Sequence, residues 1–380
     1  MLGFRSRRTA DSPLLERRRA DSYPHPYPTG WYRLASTDSL RRGELRYLEC
    51  LGKQFVLWRE QQSGEIRLMD AFCPHLGANL GRGQVRGDCI ECPFHLWQFS
   101  GDGRVSHIPY SDQPPARVLT PAYSLTDVHG DLYLFHRSDG SPDDRGESPP
   151  YEVPRLPEVD DGRFVQRGRR NAGRVRMHVM EIAENAADLA HFQALHSQLT
   201  VPWTQIPVPG VQLVHSVKSW LDPVDQWLMR FEDHASLRAF GREFKGLENE
   251  AQVSFVGPGS LLMFRFRLGD YGEIVMYQSF LPIGPLEQQV DFRWFADRKV
   301  PRMLVWYVVG NWISQFPQDI AIWEHKVHVD QPKLCRDDGP VTEFRRWYRQ
   351  FLPEDSVSDG GTEYERATRA QPPRRPTRAA

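Results

Sequence analysis

The stretch CPHLGANLGRGQVRGDCIECPFHLWQF, residues 73–99, contains two short motifs that each pair a cysteine with a histidine. Cys73 and His75 are separated by one proline, and after sixteen intervening residues Cys92 and His95 are separated by Pro-Phe. Proline fixes the backbone of each motif in a tight turn. The stretch therefore predicts two loops that clasp one metal group from opposite sides, each with one thiol and one imidazole.

Two thiolates on one iron and two neutral imidazoles on the other are the ligands of a Rieske [2Fe–2S] cluster. We therefore assign Cys73, His75, Cys92 and His95 as candidate cluster ligands. A structural zinc site is the alternative, because Cys89 and Cys92 form a C-x-x-C pair. Zinc would leave one Cys-x-His pair without a purpose, and on the cluster interpretation Cys89 is a buried bystander thiol.

Composition limits the other classes of function. The 48 basic and 49 acidic residues nearly cancel, so the overall charge gives no argument for nucleic acid or an anionic membrane as partner. The clustering of three of the five cysteines within twenty residues favours metal binding in a reducing compartment over a disulfide framework. Neither a signal peptide nor an apolar run of membrane-spanning length is present, which predicts a cytoplasmic protein with at most transient membrane contact.

The chain is long enough for two domains, each with its own core. Short apolar stretches alternate with Gly, Asp and Ser turns in the first third, which is typical of small antiparallel strands. A segment dense in Pro, Asp, Ser and Gly then indicates a linker. The predicted division is a disordered tail over 1–28, an all-β module over 29–136, a linker over 137–162, a second domain over 163–355 and a disordered tail over 356–380.

The second domain is predicted to be an α+β, helix-grip-like unit, an antiparallel sheet flanked by helices. In residues 289–296, Val290, Phe292 and Trp294 alternate with charged residues, as in a strand with one buried face. Residues 180–197 have the composition of a helix. A closing helix over about 301–327 contains Pro317, which should kink or break it.

A second candidate metal site lies in the predicted helix 180–197. Asp188, His191 and His196 follow one another at spacings of three and five. Two imidazoles and a distant carboxylate form the facial triad of an Fe(II) oxygenase, with positions left open for dioxygen. The alternative is an ordinary amphipathic helix with polar surface residues.

The spacing of the two histidines constrains the helix. Residues five apart are separated by about 140° on an ideal helix, so His191 and His196 share an iron only if the helix is distorted or ends between them. Asp188 and His191 share a face, so the Asp188 carboxylate is expected to accept a hydrogen bond from the free ring nitrogen of His191 and fix its tautomer.

Residues 73–99 resemble the Rieske domain of ring-hydroxylating and steroid-acting oxygenases, and Glu184, Asp188, His191 and His196 match the family's iron motif E-x3-D-x2-H-x4-H. The segment FPQDIAIWEHKVH, residues 316–328, resembles the region that supplies the third iron ligand in steroid-acting members. This resemblance selects Asp319. Three other residues of this segment remain alternatives, Glu324, His325 and His328.

The same resemblance implies how electrons reach the iron. In this family three subunits form a ring, and the cluster of one lies beside the iron of the next, joined by the aspartate. For this chain it implies a homotrimer in which His75 or His95 of one subunit, Asp188, and His191 of another connect the metals. The chain has no dinucleotide-binding fingerprint, so NAD(P)H would act through a separate ferredoxin-type reductase.

The stretches YPTGWY (27–32), DAFCPHLGANL (70–80), HIPY (107–110) and QDIAIWEHK (318–326) resemble the cholesterol 7-desaturases of the Neverland type, over about residues 27–350. The resemblance to bacterial 3-ketosteroid 9α-hydroxylases is looser. The resemblance to the desaturases implies O2-dependent removal of two hydrogens from cholesterol to give 7-dehydrocholesterol. Those desaturases usually begin with a membrane-anchoring segment, which is not found here.

Two other functions remain as alternatives. A steroid hydroxylase would use the same metals, because desaturation and hydroxylation diverge only after a common first hydrogen abstraction. A Rieske electron carrier with a lipid-binding domain would need the cluster ligands alone, and would hold about two irons per chain instead of about three. A zinc-binding module would be colourless.

Overall fold

The computed structural model describes residues 12–113, 115, 117–140 and 148–354, with only the backbone described over 243–249. The N-terminal part after residue 30 is built from short antiparallel strands. They are β1 (Gly30–Ser36), β2 (Leu45–Cys50), β3 (Lys53–Arg59), β4 (Ile66–Asp70), β5 (Gln84–Arg86), β6 (Cys89–Glu91), β7 (Gln98–Phe99), β8 (Val105–His107), β9 (Ala122–Tyr123), β10 (Leu125–Val128) and β11 (Asp131–His136).

These strands form three small sheets, in the orders β1-β11-β10, β2-β3-β4-β9 and β5-β6-β7-β8. Strand β1 pairs with β11, so the two ends of the module lie side by side. The Cys73–His75 turn follows β4 of the second sheet, and the Cys92–His95 turn connects β6 and β7 of the third. Ile90 and Phe99 anchor the third sheet in the core because both are fully buried. The predicted all-β module is confirmed.

The second domain contains one eight-stranded antiparallel sheet in the order β12-β19-β18-β17-β16-β15-β14-β13. Its strands are β12 (Phe164–Val175), β13 (Gln198–Thr200), β14 (Pro207–Leu221), β15 (Leu228–Ala239), β16 (Arg242–Val256), β17 (Leu261–Arg267), β18 (Glu273–Gly284) and β19 (Glu287–Asp297). Val290, Phe292 and Trp294 are buried while Asp291 and Arg293 are partly exposed, as the alternation predicted.

Helices cover the buried face of this sheet, which gives the predicted α+β architecture. The helices of the described chain are α1 (Pro13–Ser22), α2 (Pro157–Asp160), α3 (Met180–Ala187), α4 (Ala190–Leu195), α5 (Arg302–Trp323) and α6 (Val341–Tyr348). Helix α5 packs on the sheet, where Phe316 contacts Phe280 and Phe292. Within the described ranges, no helix is long and apolar enough to cross a membrane.

Helix α5 is continuous through Pro317, so of the two predicted outcomes the break is wrong and the kink stays a prediction. Proline removes one backbone hydrogen bond and crowds the preceding turn. The side chains of Ile313, Phe316 and Ile320, on both sides of the proline, are buried in the main apolar core. Burial of these side chains holds the two halves of the helix in place and offsets the lost bond.

The predicted linker over 137–162 is mostly without regular structure where it is described, and residues 141–147 lie outside the described part. It is nevertheless anchored, because Val153 and Leu156 are buried in an apolar cluster with Trp31 of β1 and Phe295 of β19. This cluster joins the N-terminal module to the large sheet. The domain boundaries themselves stay a prediction.

The prediction of a disordered tail over 1–28 is wrong for residues 12–28, which include helix α1. Arg19 is fully buried, and its guanidinium donates to the carbonyl oxygens of Trp323 (2.8 Å), Arg176 (2.9 Å) and Lys326 (3.1 Å). A cation that bonds the last carbonyls of a helix is favourable, because those groups lack partners within the helix. The predicted C-terminal tail, 356–380, lies outside the described residues.

His178, which stacks on Tyr23 of this N-terminal segment, is a buried neutral histidine. The Met180 N–H donates to its Nδ1 (3.1 Å), and its Nε2 lies 3.3 Å from the His25 carbonyl oxygen. Both contacts are satisfied by the neutral ring that carries its proton on Nε2. Burial is the main cause that lowers the pKa of His178 to about 3.

We expect His178 to make the protein sensitive to acid. The folded pKa lies below the unfolded value of about 6.5, so its contribution to stability is present above that pH and is lost as the pH falls toward 3. Between pH 7 and pH 5 the titration of His178 should lower the free energy of unfolding by about 2 kcal/mol. Urea unfolding at both pH values measures it. The glutamine of His178→Gln cannot titrate, so the free energy of unfolding of this variant should fall less between the two pH values, by that amount. An equal fall in the variant and the wild type would contradict the assignment.

Candidate metal centres

The two Cys-x-His motifs form loops of the same backbone pattern. The Cys73 N–H donates to the carbonyl of Ala78, and the Cys92 N–H donates to the carbonyl of Trp97, both at 2.8 Å and both five residues ahead. The residue four positions after each cysteine, Gly77 or Leu96, has a positive φ, of 73° and 61°. Leu96 is strained there, since this region favours glycine, and such strain is concentrated at functional sites.

The loops bring the four predicted cluster ligands together. Cys73 and Cys92 are both buried beside each other, and burial first, with the neighbouring Cys92, raises the pKa of the Cys73 thiol to about 11. The rings of His75 and His95 lie 4.7 Å apart. His95 Nδ1 is buried without a hydrogen-bond partner among the described residues. An orphaned imidazole nitrogen beside two thiols suits a bound metal group.

Trp97 supports this site, although its role was not predicted. Its indole stacks on His75 with ring centroids 4.5 Å apart, and its Nε1 donates to the hydroxyl of Tyr110 at 2.7 Å. Cys89 lies apart from the four residues. Its thiol is half-exposed and 3.2 Å from the Ser106 hydroxyl, so the expectation of a buried bystander thiol is wrong.

The second site begins at a break in the predicted helix 180–197. Helix α3 ends at Ala187, and Asp188 leaves the helical conformation with φ −88° and ψ 89°. Helix α4 then begins at Ala190 and ends at Leu195, so that His196 is its C-cap residue. The condition set by the five-residue spacing is therefore met, because the helix ends between His191 and His196.

His191, His196 and Asp319 converge. One ligand atom from each residue lies within 4.8 Å of the others, and this is the one such group of acidic, histidine and cysteine residues found in the described chain. His196 Nε2 is 3.2 Å from Asp319 Oδ1. Asp319 comes from the buried face of α5, more than a hundred residues after the histidines.

Each histidine is held through its Nδ1, which leaves Nε2 directed at the other members of the triad. The Nδ1 of His196 lies 3.0 Å from Gln318 Oε1, and the Nδ1 of His191 contacts the main-chain carbonyl of Asp188. The Asp188 carboxylate instead accepts the His191 backbone N–H at 3.3 Å. The prediction that this carboxylate fixes the His191 tautomer is therefore wrong, because the carbonyl of the same residue does so.

Asn185 and Gln318 belong to the site but were not predicted. The Asn185 amide donates to Asp319 Oδ1 at 3.1 Å and is itself held by Trp323 Nε1 at 3.2 Å. Asn185 lies one turn before the break, on the side of α3 that faces α5. Its position three residues before Asp188 was the one available signal, and nothing in the sequence distinguishes it from a surface amide.

Burial and charge act differently on the two histidines. Burial is the largest effect on His191 and lowers its pKa, which favours the neutral ring that binds metals. Burial also opposes charge on His196, but the hydrogen bond and the charge of Asp319, with Gln318, outweigh it and raise the pKa of His196.

The other candidate ligands lie elsewhere. Glu324 is buried but follows the C-terminal end of α5, outside the convergent group. The His325 ring contacts the Ala321 carbonyl, and the His328 ring lies near Tyr23 and Asp330. Glu184, the first acidic residue of the motif, binds Arg345 and Lys326 instead of facing the histidines.

An apolar cavity opens on the triad. Its empty space is about 570 Å³, part of it open to solvent, and it lies between the sheet, α3 and α5. Most of its wall is aromatic or aliphatic, from Phe231, Phe255, Phe264 and Phe292 among others, while Asn185, Gln278, Gln315 and the triad supply its polar groups. Such a cavity suits an apolar ligand held against a metal.

Two family models match the chain. The Rieske [2Fe-2S] domain model matches residues 30–124, and the 3-ketosteroid 9alpha-hydroxylase C-terminal domain model matches residues 142–352, more than half of the chain. The two matches cover both sites. The match to the Rieske domain model supports the cluster over the zinc alternative.

Curated relatives extend over nearly the whole chain. The Xenopus laevis protein named cholesterol 7-desaturase is 31% identical over 93% of this chain and 78% of its own length. The Bombyx mori protein of the same name is 33% identical over 90% of this chain and 73% of its own length. A Rhodococcus rhodochrous protein, named a probable 3-ketosteroid-9-alpha-monooxygenase oxygenase component, is 27% identical over 86% and 80%.

Solved structures share the fold. Dicamba monooxygenase bound to dicamba superposes with a TM-score of 0.61 at 15% identity, over 87% of this chain and 98% of that one. The Pseudomonas putida protein NdmA with caffeine, as a QL mutant, gives 0.59 at 16% identity, over 84% and 89%.

The family model and the relatives imply a Rieske [2Fe–2S] cluster and a mononuclear iron as cofactors, with dioxygen as co-substrate. The two-loop site, the convergent triad, the family models and the relatives agree: the chain belongs to the Rieske non-haem iron oxygenases, a family of oxidoreductases, with the cholesterol 7-desaturases and 3-ketosteroid 9α-hydroxylases as relatives.

Proposed function

We propose that the protein is a sterol desaturase that converts cholesterol to 7-dehydrocholesterol. The observation that carries the proposal is the apolar cavity that ends at His191, His196 and Asp319. The relatives support the sterol, because the proteins that are 29–33% identical over most of this chain are named cholesterol 7-desaturases.

We assign Cys73 and Cys92 to one iron of the cluster, and His75 and His95 to the other. The buried thiols and the unpartnered His95 Nδ1 support this assignment. His191, His196 and Asp319 would hold the Fe(II), since the two rings and the carboxylate leave the cavity side open for dioxygen. When bound, the two iron groups supply electrons and activate dioxygen.

The protein itself contributes orientation and the exclusion of water. The aromatic wall of the cavity binds the rings of a sterol by apolar contact and keeps water away from the triad. Gln278 is a buried polar residue in that wall. The choice of which carbon loses hydrogen depends on how firmly this wall fixes the rings, because small displacements at the reacting atoms change rates strongly.

The electrons would come from NAD(P)H through a separate ferredoxin-type reductase. The surface beside the cluster supports docking of another protein, because Leu76 and Phe94 are 64% and 59% exposed next to the candidate ligands His75 and His95. Exposed large apolar side chains in a group are typical of interaction sites. A homotrimer would use the same region, with Asp188 linking the cluster of one subunit to the iron of the next.

A steroid ring hydroxylase, such as a 3-ketosteroid 9α-hydroxylase, is the second candidate. It is favoured by the match of residues 142–352 to the C-terminal domain model of that enzyme and by the Rhodococcus relative. The metal sites would be the same in both enzymes, so the product has to distinguish them. A Rieske electron carrier would lack the convergent triad.

Product analysis tests the proposal. Purified protein with cholesterol, a surrogate ferredoxin and its reductase, NADH and oxygen should give a product that mass spectrometry finds lighter than cholesterol by two hydrogens. A product heavier by one oxygen would make the protein a hydroxylase. No product from protein with about three irons per chain and its red-brown colour intact would overturn the sterol assignment. Heat-inactivated protein and omission of the reductase are the controls.

A further inference from the structure

A second cavity adjoins the one at the triad. Trp312 and Gln315 of α5 line both cavities, so the two cavities meet at these side chains. The second cavity has about 700 Å³ of empty space, part of it open to solvent, between α5 and strands β14–β17. Much of its wall is aliphatic, from Leu199, Leu213, Leu237 and Leu268 among others.

One oxygen of a buried carboxylate in this cavity lacks a hydrogen-bond partner among the described residues. Asp233 is 2% exposed, and its Oδ2 lies 2.9 Å from Nδ1 of His215, whereas its Oδ1 has no hydrogen-bond partner among the described residues. The other ring nitrogen of His215 lies 3.2 Å from the main-chain carbonyl of His196. One imidazole ring therefore separates Asp233 from a residue of the triad.

A second unpartnered acceptor lines the same cavity. Asn311 Oδ1 is buried and has no partner in the described part of the chain. An unsatisfied buried oxygen is unfavourable, and most such atoms in folded proteins are bonded. The amide of Asn311 can rotate to present its nitrogen instead, but the carboxylate of Asp233 can only accept when ionised. The cavity therefore lacks one hydrogen-bond donor at Asp233.

We propose that this second cavity binds the ring A end of the sterol, with Asp233 accepting the hydrogen bond of the 3-hydroxyl group. The proposal rests on the proposed function, because it places the rest of the ring system in the cavity at the triad. The 3-hydroxyl lies on the ring next to the one that carries carbon 7. This short separation agrees with the single imidazole ring between Asp233 and His196.

The chemistry of Asp233 discriminates among substrates. A 3-hydroxyl group supplies the missing donor, whereas a 3-keto group is an acceptor and would face the carboxylate without a bond. The aliphatic tail of a sterol would leave Oδ1 desolvated and unpaired, which is unfavourable. Sites that bond a substrate hydroxyl reject analogues without it strongly, because the buried partner is left unpaired. Asp233 is thus a specificity-determining residue for sterols over ketosteroids.

Two steroids that differ only at carbon 3 test the proposal. Binding of 5α-cholestan-3β-ol and 5α-cholestan-3-one to the holoenzyme is measured by quenching of tryptophan fluorescence, to which Trp312 between the cavities contributes. The wild type should bind the alcohol about tenfold or more tightly than the ketone. In Asp233→Asn the amide presents a donor to the cavity, so the preference should fall by about tenfold or reverse.

Glu250→Gln is the matched control. Glu250 lines the same cavity and also loses its carboxylate, but it already bonds Arg267 and Gln252, so the preference should stay within about twofold. Equal binding of the two steroids by the wild type, or an unchanged preference in Asp233→Asn, would overturn the inference even if cholesterol is desaturated. Binding of neither steroid would overturn both this inference and the proposed function.

Discussion

Replacing Asp319 with asparagine should abolish turnover while the protein keeps its red-brown colour. The amide is nearly the same size but is a weaker metal ligand, so the two histidines alone would hold the iron poorly. Iron content should fall from about three to about two per chain. Turnover should fall by more than about 100-fold, because loss of a residue that only hydrogen-bonds a metal ligand already lowers activity by up to about 100-fold.

Glu324→Gln is the control for this prediction. Glu324 is also buried and lies at the end of the same helix, but it is not part of the group formed by His191, His196 and Asp319. Its variant should retain about three irons per chain. Loss of iron in Glu324→Gln, with iron retained in Asp319→Asn, would show that the carboxylate ligand is Glu324 and not Asp319.

Asp188→Asn should separate cluster reduction from turnover. The cluster should still be reduced by a chemical reductant, and iron content should stay at about three per chain, since the Asp188 main-chain carbonyl continues to hold His191. Turnover should fall by about 100-fold if the carboxylate connects the metals. Electron paramagnetic resonance of the reduced cluster, iron analysis and product formation measure the three quantities.

Asp338→Asn is the matched control, because Asp338 lies beside Leu189 and its carboxylate bonds only Cys335 of its own loop among the described residues. Its activity should be unchanged. Full activity in Asp188→Asn would remove Asp188 from the electron path, and loss of iron would give it a structural role instead.

Mixed subunits test whether electrons cross between chains. Cys92→Ser chains should lack the cluster, and Asp319→Asn chains should lack the mononuclear iron, so each should be inactive alone. If the cluster of one subunit serves the iron of its neighbour, co-expression of the two chains should restore part of the activity. Activity that stays absent in mixed oligomers would place both metals of a working pair in one chain.

The cluster site could be predicted from the sequence because its ligands are local. Cys73, His75, Cys92 and His95 lie on two short turns within about twenty-five residues of one β module, and the proline-containing spacing fixes each turn. The pairing of His191 with His196 was conditional, since the sequence shows the spacing but not the end of α4 at Leu195. That end depends on packing against the sheet.

Contacts between segments that are distant in the chain could not be predicted from the sequence. The Arg-rich start of the chain has the composition of a solvated tail, yet Arg19 is buried because the end of α5 offers it carbonyl oxygens. Asp233 and Asn311 likewise look like ordinary strand and helix residues. Their unpaired oxygens become visible only when α5 and the sheet enclose a common cavity.

The burial of Arg19 has a practical consequence for anyone who shortens the enzyme. A truncation that begins near residue 28, where the strands start, looks harmless from composition alone. It would strip the cation from three carbonyl groups near the end of the helix that carries Asp319. We therefore expect a shortened enzyme to need helix α1, which begins at Pro13, with any affinity tag placed before that residue.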